Sequence, residues 1–201
     1  MPTDLFPFVD FEITVCGIEE LPQHSERRVT HILTLLDPGW PTPSFEGYGT
    51  HRRLDLRFHD VIETTPEWRA PEAEDVAQLL AFGRDVPAGE SHLLVHCHMG
   101  ISRSSAAMLL TLMQARPDRT ADEALAEVVR IRPYAWPNLR ILEIGGAMLG
   151  RKDELIDAAY RRYGFVLSKK PSLGDAMIKL GRIREVEAGR ARVTPDSAAR
   201  S

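Results

Sequence analysis

Within the stretch His96-Cys97-His98-Met99-Gly100-Ile101-Ser102-Arg103-Ser104 the chain gathers a nucleophilic sulfur, a planar cation and a hydroxyl. Cysteine attacks as its thiolate, and positive surroundings favour that form. Arg103 offers a fork that can hold two phosphate oxygens at once. Gly100 lets the backbone between them bend where a side chain would obstruct it. The hydroxyl of Ser104 is placed to hydrogen-bond the sulfur and help it leave. A thiolate beside an anion cradle is suited to attack phosphorus. The bland alternative is a buried structural cysteine with an arginine nearby by chance.

The flanking residues say what positions this stretch. Leu93-Leu94-Val95 reads as a buried strand. Ala106, Leu109, Leu110 and Met113 fall on one face of a helix. The residues between form a tight turn into a helix N-terminus, whose free N–H groups and dipole attract anions. With that context the motif, His-Cys, five residues, Arg-Ser, resembles the signature loop of cysteine-dependent protein phosphatases, the tyrosine and dual-specificity superfamily. The resemblance implies Cys97 as nucleophile and His98, Met99, Gly100, Ile101, Ser102 and Arg103 as the phosphate cradle. It implies Ser104 as the aid to the departing sulfur, and no metal or other cofactor. It also implies an acid aspartate just past the strand before the helix that leads into the signature strand. Asp60 holds that place; Glu63 and Asp75 come next, and Asp55 lies inside the strand. Asp60 would also serve as a turn cap. The segment Arg132-Pro133-Tyr134-Ala135-Trp136-Pro137-Asn138 is more loosely similar to one that links helices behind the loop in this family. The loop lacks the lysines of the phosphoinositide branch, and no Gln-rich water-positioning motif follows, so the small dual-specificity-like branch fits best. The implied activity is hydrolysis of phosphomonoesters, phosphotyrosine and also phosphoserine or phosphothreonine in proteins, through a cysteinyl phosphate. The alternatives are a phosphatase for an inositol phosphate or nucleotide, a phosphate-binding module without turnover, and a rhodanese-like sulfurtransferase.

The fold expected is α/β, a central, mostly parallel sheet of four or five strands with helices on both faces. Strands are predicted over 11–18, 29–36, 52–58 and 91–97. A short helix or turn is predicted over 19–28. Helices are predicted over 71–83, after the loop, from the Thr120–Glu123 capping box, and over 139–149, 154–163 and 171–187. A catalytic domain over 1–164 is expected to be followed by a C-terminal helix and polar tail over 165–201, disordered from Ala188. The Pro-rich loop after Leu36 carries Trp40, Phe45 and Tyr48, read either as core pins or as a substrate rim. His92, His96 and His98 raise a zinc reading that lacks a fourth ligand and leaves Arg103 without a role. The formal charge of −4 over 201 residues argues against a general nucleic-acid binder. No run is apolar enough to cross a membrane and no signal peptide is seen. Two cysteines, Cys16 and Cys97, make no disulfide framework, which points to a reducing, cytoplasmic setting. Cys16 reads as a core residue, or else as a resolving thiol for Cys97. The sequence leaves the oligomeric state open.

Overall fold

The computed structural model describes residues 7–193. Its sheet has four strands, β1 (Glu12–Gly17), β2 (His31–Leu36), β3 (Arg52–Arg57) and β4 (His92–Cys97), in the order β1-β4-β2-β3. All pairings are parallel. Both inner strands, HILTLL and HLLVHC, are buried at every position, as their nearly unbroken apolar character requires of strands covered on both faces. Edge strand β3 alternates instead, with Leu56 in the core and Arg53 outside.

Seven α-helices follow or separate the strands among the described residues: α1 (Ala73–Arg84), α2 (Arg103–Ala115), α3 (Ala121–Ile131), α4 (Leu139–Met148), α5 (Lys152–Lys169), α6 (Ser172–Lys179) and α7 (Ile183–Arg190). Leu33, Leu35, Leu93 and Val95 on one face of the sheet share a core with Val76, Leu79, Leu109, Leu110 and Val128 of the helices. On the other face Cys16, Ile32 and Leu94 meet Leu21 of a 3-10 helix (Ile18–His24), with Val29 and Tyr48. The Tyr48 hydroxyl donates to Leu21 O at 2.5 Å. Helices thus lie on both faces, but unequally: α-helices on one, a single 3-10 turn and the aromatic loop on the other.

The C-terminal part departs from its sequence pattern. The stretch 171–187 is two helices, not one, because the chain turns at Gly181 with φ +73°. Helix α5 is longer than the apolar spacing marked, and the 164/165 boundary falls inside it. Ala188 to Arg190 belong to α7, while residues 194–201 of the predicted tail lie outside the described residues.

Candidate active site

In a parallel sheet, ligand sites form outside the carboxyl ends of the strands, where the strand order reverses. Here each strand delivers one residue to that edge. Gly17 ends β1 and Cys97 ends β4; Asp37 follows β2, and Asp60 lies just past β3.

The loop after Cys97 is held from its outer side. His98 O accepts from Ile18 N at 3.0 Å, Ile101 O from Trp136 N at 2.9 Å, and Ser102 O from Asn138 N at 3.2 Å. Arg132 donates through Nη2 to Met99 O at 2.6 Å and through Nε to Gly100 O at 3.0 Å. Five consecutive carbonyls are therefore tied outward. Among the described residues no N–H of the same five donates to a protein acceptor, which leaves the amides for an anion on the concave side. Gly100 makes this curvature possible. Its φ is +69°, and a Cβ there would lie 2.5 Å from the Cys16 carbonyl carbon.

Around the loop the proposed groups converge. Cys97 Sγ lies 3.1 Å from Ser104 Oγ. The Arg103 side chain, 3% exposed, donates through Nη1 to Asp37 Oδ1 at 2.7 Å and to Phe58 O at 2.6 Å. Its buried Nε has no protein partner, so one edge of the guanidinium is anchored and the other is left for an oxyanion. Asp37 also faces His98, Oδ2 to Nε2 at 3.4 Å. Burial and then Arg103 hold the His98 imidazole below its ordinary pKa, against the pull of Asp37.

Asp60 is fixed through one oxygen. Its Oδ1 accepts from Ser102 Oγ at 2.8 Å, Asn138 Nδ2 at 2.8 Å and Arg182 Nη1 at 3.2 Å. The protein packed around the carboxylate penalises its charge, but Arg182, Arg103 and the bonds from Asn138 and Ser102 outweigh that and lower its pKa. Its rivals are occupied elsewhere: Glu63 pairs with Arg184 at 2.5 Å, and Asp75 binds Arg69 and the Glu72 N–H at the start of α1. Asp55 pairs with its neighbour Arg53.

A cleft of about 530 Å³ opens beside Asp37, Asp60 and Arg103 and is walled by Trp68 and by residues Lys179 to Arg182. Trp40 packs edge-on against His98 at 4.4 Å, so it belongs to the rim, while Phe45 and Tyr48 pack together over the sheet as pins. His92 and His96 bind Thr14 and Thr34 at 2.8 Å, and among the described residues no three His, Cys, Asp or Glu side chains gather as a metal set. Cys16 pairs in register with His96 and belongs to the opposite core from Cys97. The two thiols point to opposite faces of the sheet, and bridging them would require backbone movement. Burial also pushes the Cys16 thiol up to about 12, helped by Glu20. Cys16 is a core residue.

Asp37, Arg182 and Glu185 were not among the sequence candidates. Asp37 carried one usable signal: it follows a strand as directly as Cys97 ends one. Arg182 and Glu185 carried none, being two charges in a charged helical stretch.

No protein-family model matches the chain. Protein phosphatase Slingshot homolog 3 of Homo sapiens is 31% identical over 148 residues, covering 70% of this chain and 20% of that protein. The Rattus norvegicus counterpart is 28% identical over 139 residues, 67% of this chain and 19% of its own length. The chain therefore spans about a fifth of the length of these curated relatives. The crystal structure of PTPMT1 in complex with PI(5)P superposes with a TM-score of 0.51 at 14% identity, over 71% of this chain and 92% of that one, a likeness of fold. With its parallel sheet, its Cys-Arg loop and these relatives, the chain belongs to the cysteine-dependent protein tyrosine and dual-specificity phosphatase superfamily.

Proposed function

We propose that this chain hydrolyses phosphate monoesters through a phosphocysteine on Cys97, with aryl esters such as phosphotyrosine in proteins as substrates. The observation that carries this reading is the loop whose five carbonyls are tied outward, leaving its amides and Arg103 Nε around the space before Cys97. In the first step the Cys97 thiolate forms a bond to phosphorus and the bond to the ester oxygen breaks. Loop amides and Arg103 hold the equatorial oxygens, where charge must be stabilised. Asp60 gives its proton to the leaving oxygen. In the second step Asp60 takes a proton from water, the water oxygen bonds to phosphorus, and the S–P bond breaks. Ser104 donates to the departing thiolate. The exposed Trp68 and Trp40 favour an aromatic leaving group over a serine side chain.

The test is rapid acid quenching during turnover of an aryl phosphate, followed by peptide mass analysis. The expected result is a phosphoryl group on the Cys97 peptide, and no turnover by Cys97→Ser, which still binds inorganic phosphate because the cradle is backbone and Arg103. Substantial turnover by the purified Cys97→Ser variant would sink the covalent mechanism.

A further inference from the structure

The turn between α6 and α7 reaches into the site just described. Arg182, 3% exposed at its side chain, donates to Asp60 Oδ1 at 3.2 Å, Ser102 Oγ at 3.1 Å and Glu185 Oε1 at 2.7 Å. Glu185 is fully buried and also accepts from Trp136 Nε1 at 2.6 Å and Leu139 N at 2.9 Å. Trp136 in turn donates its backbone N–H to the loop carbonyl of Ile101. One guanidinium thus joins the acid, the loop and a carboxylate anchored behind the loop. A buried ion pair stripped of one partner is strongly unfavourable, so Glu185 fixes where Arg182 stands.

We propose that Arg182 is a positioning residue for the acid Asp60, and that the C-terminal helices α6 and α7 are part of the catalytic apparatus. This rests on the reading of Asp60 as the acid. With Ser102, Asn138 and Arg182 all on Oδ1, the other oxygen, on a side chain that lines the cleft, is the one that carries the proton to the leaving group. The charged and titratable groups facing Asp60 are Arg182 from the α6–α7 turn, Arg103 from α2 and His98 from the loop. Glu63 and Lys179 line the same cleft, and Asp37 and Glu185 stand behind the two arginines. Within this set Arg182 and Arg103 favour the ionised carboxylate, so loss of Arg182 makes Asp60 easier to protonate.

The experiment compares wild type, Arg182→Gln, Arg182→Lys and the double variant Arg182→Gln/Glu185→Gln. The double variant leaves neither charge buried alone, which keeps a folded protein in the comparison. The first readout is the Asp60 carboxyl titration by 13C NMR, which needs no turnover. Its midpoint is expected to move to higher pH in both variants lacking the charge and to stay near wild type with lysine. The second is the pH–rate profile on phenyl phosphate and on p-nitrophenyl phosphate. The alkaline limb is expected to move up with the midpoint. The plateau for the phenyl ester should fall more than for the activated ester, by up to the roughly 10²-fold that misplacement of a catalytic group can cost. A purely structural role would lower both substrates alike and leave the limb in place. An unchanged Asp60 midpoint in Arg182→Gln and in the double variant overturns the proposal. Absence of phosphate-ester turnover by wild type overturns the functional reading instead, while the carboxyl titration still decides the link between Arg182 and Asp60.

Discussion

Asp60 is held through one oxygen, and the proposal that the other delivers the proton has a measurable signature. General acid catalysis contributes about 10²–10⁴-fold, and it matters most for a poor leaving group. Asp60→Asn is therefore expected to slow a phosphotyrosine peptide more than p-nitrophenyl phosphate. It should also flatten the alkaline limb of the pH–rate profile, which reports loss of the acid's proton, and spare the acidic limb. Glu63→Gln, run beside it, should show neither effect, since Glu63 is paired with Arg184. If the leaving-group effect follows Glu63 instead, the acid has been assigned to the wrong carboxylate, although Cys97 would keep its role. At this scale the sequence was legible where chemistry needs neighbours in the chain. Cys97, Arg103 and Ser104 lie within one turn, and spacing alone groups them. Asp37 reaches Arg103 across 66 positions and Arg182 reaches Asp60 across 122, and no local pattern encodes such meetings.

The loop shows what an element adds to its residues. Its amides stay without protein acceptors among the described residues while other segments bind its carbonyls, and Gly100 permits the turn that does this. Gly100→Ala is expected to meet two penalties: the left-handed backbone, about 1–2 kcal/mol, and the collision with Cys16. Gly150 has a similar φ of +67° with open space around it, so Gly150→Ala should meet the first penalty only. Urea melts of both variants separate the two, with Gly100→Ala the less stable and also impaired in vanadate binding. Equal losses would mean that the loop relaxes freely away from β1. The strands and the first four α-helices were readable, since β2 and β4 are apolar throughout and Thr120 and Asn138 cap as their residue types suggest. The break at Gly181 was not. The apolar spacing of Leu173, Met177 and Leu180 continues up to a glycine that either prolongs a helix or ends it.

Across the whole molecule, burial of neutral histidines ties stability to pH. His96 is fully buried under the aromatic loop and bonded to Thr34, and burial pushes its pKa down to about 4. Between pH 6.5 and 4 the unfolded chain binds a proton on His96 that the folded chain refuses. Stability therefore rises with pH across this window and falls as acid is added, by about 3 kcal/mol from this group. His92 and His31 are shifted in the same direction and add to the slope. Urea denaturation at intervals across this range should show the decline, and His96→Gln should flatten it. A slope unchanged by His96→Gln would place the titration elsewhere. The loop's fastenings also set an order of events as the chain is made. Polypeptides emerge N-terminus first, and contacts distant in sequence close late. Cys97, Arg103 and Ser104 leave the ribosome together, but the residues bonded to the loop's carbonyls, Arg132, Trp136 and Asn138, come after them, and Arg182, bonded to Asp60 and Ser102, comes later still. The nascent chain thus exposes the Cys97 thiol before the segments that frame it have been made.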